Sequence, residues 1–458
     1  MLLWLPAQFS FVDLFFAPIY IFFLTIICYR FLPKNPKLIK YYKRGFYFKI
    51  LGGIIFWFLY IQVYGGGDSW SYFVSAKALC NLTFYDNHIL RSLAGIKIIL
   101  GIIDNLDSVQ YFSPSTGYPK FYIARGYNNF TVARLSSIIC FISGRSFLIS
   151  TILISAFSYI GIWKLYKVMT YSFPNNEKGL FYLMLAMPSL LFWGGGVMKD
   201  TYVLNATCWI VYNLYAIFVF KKQKILNVVL LIFNVILIIN IKSYVVISLL
   251  PAVLIWINNF LINRISSPII KSLVAPFIIV FIATSGFLIY QGVSESLGQY
   301  SNLESTINQA KVIQQDLLRE EQYGSNSYNI GELDGTVGGM LRVAPMSIFT
   351  AIYRPLPWEV GSPMMVISAI ENSILLIFTV LLIIRLNPLK FIKEILSEPL
   401  FVFSVLFTLL FGFGVGIAST NFGALVRYKI PLIPFYFTTM YLIYRKTNEK
   451  LNNANRKI

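Results

Sequence analysis

The chain has 458 residues, of which 57% are hydrophobic and 12% are charged, and its formal net charge at pH 7 is +19. A water-soluble domain of this size does not carry so much apolar surface, so the composition excludes a soluble enzyme and predicts an all-α integral membrane protein. The excess of Lys and Arg over Asp and Glu would suit nucleic-acid binding. However, the basic residues cluster in short segments between apolar runs, as the signals that orient a membrane protein do. We therefore expect no nucleic-acid partner.

Histidine and cysteine are too sparse to predict a metal centre. His88 is the single histidine, and Cys28, Cys80, Cys140 and Cys208 are scattered without a CxxC pair. The sequence therefore indicates no metal or other cofactor, and acid–base chemistry falls to carboxylates, lysine or tyrosine. Cys80 and Cys140 lie in the same segment between predicted spans, where spacing alone does not decide whether they pair.

Long apolar runs alternate with basic segments along the whole chain. Because ~20 apolar residues in a helix cross the hydrocarbon layer, the runs predict about eleven transmembrane helices in a single polytopic domain of residues 1–458. The predicted spans are residues 9–31, 46–64, 147–166, 180–193, 202–220, 225–241, 244–262, 273–290, 364–384, 401–417 and 431–444. The sixth and seventh are expected to form a hairpin. The bases at 34–44 and the basic tail at 445–458 place both segments in the cytoplasm.

Two long segments between spans then fall on the extracytoplasmic side. The first, 65–146, contains the semi-apolar stretch 89–103, which is too interrupted to span and suits a helix lying at the interface. The second, 291–363, is rich in Ser, Asn and Gly, with a helix expected at 305–321. The first segment is basic, but long loops are exempt from the positive-inside rule, so its bases do not reverse the orientation.

The motif GGGDSWSYF, residues 65–73, follows the second predicted span directly. Its three glycines let the backbone leave the helix and let a ligand approach closely. Asp68 then stands at a membrane face, with Tyr72 supplying a hydroxyl and an aromatic surface beside it. These features suit a catalytic carboxylate. A structural alternative is that Asp68 only caps a short helix that begins at Ser69.

Three further motifs place charge at predicted outer helix ends. Their candidate residues are Lys199 and Asp200, then Arg354, Trp358 and Glu359, and finally Arg427 and Lys429. Charge close to lipid needs partners or a hydrated cavity, so function is the default hypothesis. Structural alternatives are an interfacial lysine beside a helix cap, a rigid Pro-rich turn with its tryptophan in the aromatic belt, and a stray outer base.

Together these residue types suit a sugar donor carried on a polyprenyl phosphate. Arg and Lys would neutralise the phosphate leaving group. A carboxylate would accept the proton of the attacking hydroxyl, and aromatic faces would stack on sugars. Asp68, Asp200 and Glu359 are the candidate catalytic acids. The candidate substrate-binding residues are Tyr72, Lys199, Arg354, Trp358, Arg427 and Lys429.

The segments DSWSY, residues 68–72, and NFGALVRYKIPLIP, residues 421–434, resemble motifs of the GT-C superfamily of membrane glycosyltransferases and of bacterial surface-polysaccharide repeat-unit polymerases. The resemblance implies inverting transfer from an undecaprenyl-linked donor at the outer face of a bacterial inner membrane, with Asp68 as the base. The paired acidic motif of the family is absent after the second span, and an extra span precedes it. Asp200 and Glu359 therefore stay alternative bases.

Two other functions fit a polytopic membrane protein. A transporter or flippase of lipid-linked oligosaccharide is expected to have broken helices and ionisable groups near the bilayer midplane, often in repeated halves. The sequence places its charges at span ends and shows no halves, which disfavours transport. A non-catalytic membrane scaffold needs no convergent acids, so tolerance of alanine at the three candidate acids would indicate it.

Overall fold

A computed structural model describes residues 11–262, 284, 305, 311–312, 327–331 and 336–455. The regular secondary structure of these residues is helical. They contain no β-strand, and their β-type pairing is limited to two isolated bridges, Ser113–Gly117 and Ser327–Asn421. The all-α class is thus confirmed for the part of the chain that is described. Two compact units are distinguished, one within Met1–Ile217 and Lys222–Lys242 and the other within Phe218–Lys221 and Ser243–Ile458.

The first unit contains long helices and a set of short ones. Its helices are α1 (Phe11–Arg30), α2 (Pro36–Tyr64), α3 (Gly67–Cys80), α4 (Ile89–Ile99), α5 (Asn105–Ser108), α6 (Phe121–Arg125), α7 (Tyr127–Ile142), α8 (Phe147–Ser172), α9 (Glu177–Leu180), α10 (Pro188–Phe192) and α11 (Lys199–Tyr215). The predicted outer segment 65–146 is therefore folded into α3 to α7. Within it, α4 occupies most of the stretch expected to be interfacial, and its Ile89 and Leu90 are exposed.

The next helix, α12 (Lys224–Ile262), begins in the first unit and ends in the second. The remaining helices are α13 (Val337–Tyr353), α14 (Pro363–Leu386), α15 (Pro388–Leu396), α16 (Pro399–Ala418), α17 (Phe422–Tyr428) and α18 (Ile433–Asn455). Five-residue π-helical turns occur at Asn81–Tyr85, Phe181–Leu185 and Ala216–Phe220.

Seven helices of the described chain are long and apolar enough to cross a membrane. They are Val12–Arg30, Pro36–Gln62, Phe147–Ser172, Lys199–Phe220, Lys224–Ile262, Met365–Leu386 and Pro399–Ala418. This fits an all-α membrane protein, but the predicted count of about eleven spans does not match. The predicted span 273–290 and the predicted helix 305–321 lie almost entirely outside the described residues, as does much of the second long segment 291–363.

The residues of the expected hairpin, 225–241 and 244–262, form two helical stretches of α12 that are separated by non-helical backbone at Lys242 (φ −149°, ψ 79°), and the seven long helices count them as one. Two other predicted spans differ for physical reasons. The expected span 180–193 is broken into α9, a π-helical turn and α10, because Pro188 starts a new helix that cannot continue the preceding one. The expected span 431–444 lies in α18, whose second half is too polar to extend the apolar run.

Glycines allow close backbone contact inside the first unit. A Cβ atom at Gly52 of α2 would lie 2.7 Å from the Leu191 carbonyl oxygen, and one at Gly196 would lie 2.1 Å from the Phe56 ring. Neither position has room for a side chain. The broken segment that carries α9 and α10 is therefore packed directly against α2, and it leads into the start of α11.

Aromatic residues fill much of the core of the second unit. Phe403, Phe407 and Phe411 follow one face of α16, with neighbouring ring centroids 6.2 and 5.3 Å apart. Phe435 packs edge-on against two of these rings, and Tyr244 stacks on Phe411 at 5.8 Å. This core holds the start of α18 against α16, and α17 lies between these two helices in the sequence.

Candidate functional site

The glycine triplet ends α2 and starts α3, as its composition predicts. Gly65, Gly66 and Gly67 have φ values of 58°, 97° and 44°, a region that favours glycine. The Gly66 amide donates to the Tyr60 carbonyl at 2.9 Å, and Gly66 is the N-cap of α3. Asp68 consequently lies inside the first turn of α3. The alternative in which Asp68 caps a helix starting at Ser69 is wrong, because the helix starts two residues earlier.

Asp68 is exposed and benefits from the partial positive charge of the helix N-terminus. Its surroundings are fixed by a hydrogen bond from α3 to α7 and by another from α7 to α6. The Tyr72 hydroxyl donates to Asn129 Oδ1 at 3.0 Å, and Asn129 Nδ2 donates to the Tyr122 carbonyl at 3.2 Å. Tyr72 was predicted to bind substrate, but its hydroxyl is engaged with Asn129 and its side chain is buried. In this structure Tyr72 holds α3 in place.

Tyr122 is a neighbour of Asp68 that the sequence motifs did not identify. Its hydroxyl interacts with Ser71, and the charge of Asp68 reaches it. Partial burial raises the pKa of Tyr122, the Ser71 hydrogen bond opposes that shift, and the Asp68 carboxylate adds to it. Tyr122 is therefore a neutral phenol at physiological pH. The only sequence signal was the abundance of tyrosine in this segment.

A buried ion pair lies beside Lys199 in the same unit. The Lys242 ammonium donates to Asp200 Oδ1, and Asp200 is 2% exposed. Lys242 is the residue at the kink of α12, where the sequence indicated only a base in an outer turn. Lys199 interacts electrostatically with both of these charges and with Asp68. The structure thus brings together three predicted site residues, and it adds Lys242.

Lys199 and Asp200 lie at the start of α11, directly after a segment in which the helix is interrupted. Two backbone carbonyl groups of that segment accept hydrogen bonds from side chains. The Lys49 ammonium donates to the Leu190 carbonyl at 2.6 Å, and the Ser155 hydroxyl donates to the Gly195 carbonyl at 2.6 Å. Non-helical backbone inside a membrane protein requires such partners. These bonds hold the broken segment and hence the position of Lys199.

The remaining predicted residues lie in the second unit. Arg354 donates from Nε and Nη2 to Glu359 Oε1 at 2.7 and 2.5 Å, and the Leu356 amide donates to Glu359 Oε2 at 2.8 Å. Both carboxylate oxygens of Glu359 therefore accept hydrogen bonds. The Arg354 guanidinium also lies over the rings of Tyr328 and Phe422, at 5.2 and 5.0 Å. This arrangement supports the Pro-rich turn.

Lys429 is buried and reaches the same turn. Its ammonium donates to Asn372 Oδ1 at 2.8 Å and to the carbonyls of Arg354 and Ile352 at 2.9 and 3.5 Å. Asn372 Nδ2 in turn donates to the Pro355 carbonyl at 3.1 Å. The protonated form of Lys429 has three N–H donors, so these three acceptors match that form, whereas the neutral amine has two. Burial lowers the pKa of Lys429 to about 7, and the charge of Glu371 opposes that shift.

Trp358 and Arg427 differ from this buried cluster. Trp358 is 78% exposed, and Arg427 is half-buried with its guanidinium 5.8 Å from the centre of the Tyr428 ring. Both side chains are accessible in the second unit, as a substrate-binding residue must be. Their predicted role stays a prediction.

No group of three or more His, Cys, Asp and Glu side chains with the geometry of a metal site occurs in the described parts of the chain. The chemistry available at the first-unit cluster is that of an exposed carboxylate, lysine cations and a neutral phenol. The resemblance to the GT-C superfamily, which depends on two short motifs, stays a prediction. A comparison with protein-family models, curated proteins and solved structures finds no match for this chain.

Proposed function

We propose that the protein is a membrane glycosyltransferase that transfers a sugar or oligosaccharide from a polyprenyl-phosphate-linked donor to an acceptor hydroxyl. The observation that carries the proposal is an exposed carboxylate, Asp68, that lies within electrostatic range of Lys199 in one compact unit. A base beside a phosphate-binding cation is what such a transfer needs. In this proposal the site faces the extracytoplasmic side of a bacterial inner membrane.

Asp68 is the best candidate base of the three acids. Asp200 is buried and paired with Lys242, so an incoming hydroxyl would have to displace a lysine. Glu359 accepts hydrogen bonds on both oxygens from Arg354 and Leu356. Asp68 is exposed to solvent, and a general base must be accessible to the hydroxyl whose proton it removes. We therefore assign supporting roles to Asp200 and Glu359.

The proposed reaction is a single displacement. The acceptor hydroxyl gives its proton to Asp68 while its oxygen attacks the anomeric carbon, and the bond from that carbon to the phosphate oxygen breaks. The polyprenyl phosphate leaves with the electron pair of that bond, and Lys199 stabilises the charge that develops on it. The Asp200–Lys242 pair holds the start of α11, and with it Lys199.

A complementation experiment tests this assignment. A deletion strain would receive the wild type, Asp68→Asn or Asp107→Asn, and the surface glycan would be profiled after membrane abundance is matched. Asp107 is an exposed carboxylate in the same segment and serves as the control. We expect Asp68→Asn to lower glycan synthesis about 10²- to 10⁴-fold, the usual contribution of a general base. Full restoration by Asp68→Asn would contradict the assignment.

A transporter of the same lipid-linked substrate is the second candidate, and a specific observation favours it. The segment before α11 is broken, α12 is kinked at Lys242, and the buried Asp200–Lys242 pair joins the two. Broken helices with ionisable partners are typical of transporter binding sites. The two functions differ in the leaflet at which the lipid-linked donor accumulates when the protein is lost. A transferase deletion leaves lipid-linked donor at the outer leaflet, whereas a transporter deletion leaves it at the inner leaflet.

A further inference from the structure

Two cysteines that the proposed reaction does not use lie against each other in the first unit. Cys80 is the last residue of α3, Cys140 is near the end of α7, and both side chains are 0% exposed. The two helices pack together, and residues beside the two cysteines meet: Arg145 Nη1 donates to Asn81 Oδ1 at 3.5 Å, and the rings of Phe84 and Phe141 stack at 4.4 Å. Both are free thiols here.

We propose that Cys80 and Cys140 form a disulfide that joins α3 to α7 in the mature protein. A disulfide requires backbones that are close and Cβ atoms that face each other, and the contacts of Asn81 with Arg145 and of Phe84 with Phe141 bring the ends of α3 and α7 together beside the two sulfurs. Disulfides persist in oxidising compartments, which is where the proposed orientation of residues 65–146 places both thiols. The inference rests on that orientation and is independent of the glycosyl transfer.

The oxidant is the disulfide of a thiol–disulfide oxidoreductase. The thiolate of one cysteine attacks one sulfur of that disulfide, a mixed disulfide forms, and the first carrier thiolate leaves. The other cysteine then loses its proton and attacks the sulfur of the first, which expels the second carrier thiolate. Two electrons and two protons pass from the cysteines to the carrier. Because both sulfurs are buried in the folded unit, the exchange takes place before α3 and α7 close on each other.

The disulfide would hold α3, the helix that carries Asp68, at the end opposite to Asp68. α3 carries Asp68 in its first turn, and Tyr72 ties its next turn to Asn129 of α7. A disulfide from Cys80 to Cys140 ties the opposite end of α3 to the same partner helix. The position of Asp68 relative to α7 is then fixed at two points.

The test counts free thiols in the full-length protein made in a bacterial inner membrane. A Cys28→Ser/Cys208→Ser background leaves only the two cysteines in question, and denatured protein is treated with a maleimide polymer. We expect no gel shift without reductant and two added polymers after reduction. With Cys80→Ser added to this background, one polymer should attach without reductant. Two polymers on the unreduced parent protein would overturn the proposal.

Peptide mapping of the wild type avoids any folding defect of these variants. The expected result is a linked pair of peptides lighter by two hydrogen atoms than the sum of the separate peptides, lost when the host lacks its thiol–disulfide oxidoreductase. Finding both peptides alkylated and unlinked would overturn the disulfide. That result would leave the Asp68 assignment untouched, since the complementation experiment tests it separately.

Discussion

At the scale of single residues, we expect the largest loss of stability when the buried Asp200–Lys242 ion pair is broken. Removal of one partner of a buried pair leaves the other charge uncompensated, which typically costs about 3–5 kcal/mol. We expect Asp200→Ala and Lys242→Ala each to lower the thermal stability of the detergent-solubilised protein, and the double variant to lower it less than the sum of the two. Melting followed by size-exclusion chromatography measures this. Strictly additive losses would show that the pair carries no coupling energy.

Lys429 gives a prediction for pH. Burial lowers its pKa from 10.5 to about 7, so between these values the unfolded state holds a proton on this lysine that the folded state lacks. Stability contributed by this group therefore rises as pH increases from about 7 to about 10.5. We expect the stability difference between wild type and Lys429→Met to shift in favour of the wild type from pH 7 to 9. A difference that stays constant over this range would show that Lys429 does not titrate there.

The sequence identified the charged residues but not their partners. Asp68, Lys199 and Asp200 were predicted from their glycine-rich surroundings, and the structure places them in one unit. Lys242 was not predicted as a site residue, because its partner Asp200 is 42 positions away and only tertiary packing brings the two together. Tyr122 was missed for the same reason.

At the scale of helices, the contact between α2 and the glycine triplet before α11 makes a steric prediction. A Cβ at Gly196 would lie 2.1 Å from the Phe56 ring, so the Gly196→Ala variant must displace that ring. Overpacking of this kind costs about 1–3 kcal/mol. We expect a lower melting temperature for Gly196→Ala and partial recovery when Phe56→Leu is added.

Gly414→Ala is the matched control for that substitution. Gly414 lies in α16 with no heavy atom within 4 Å of the place that a Cβ atom would take and with no positive φ, so alanine should be neutral or stabilising there. Equal losses for Gly196→Ala and Gly414→Ala would show that the contact with α2 has no special role.

Hydropathy predicted the positions of the apolar helices more accurately than the points at which those helices break. Residues 225–262 were predicted to divide at Lys242, and the structure has non-helical backbone there, with the Lys242 ammonium paired with Asp200. Residues 180–193 were predicted to form a span because hydropathy does not register the break before Pro188.

At the scale of the whole molecule, the distribution of basic residues predicts the orientation on which the proposed function depends. Bases at 34–44 and in the tail should be cytoplasmic, which places residues 65–146 outside. We expect a membrane-impermeant maleimide to label Asp107→Cys in intact cells. It should label Lys393→Cys, which lies between the predicted spans 364–384 and 401–417 on the same side as the basic tail, only after permeabilisation. Both positions are exposed, and the four native cysteines are buried and give little background. The reverse pattern would place Asp68 in the cytoplasm, where an outer-leaflet donor cannot reach it.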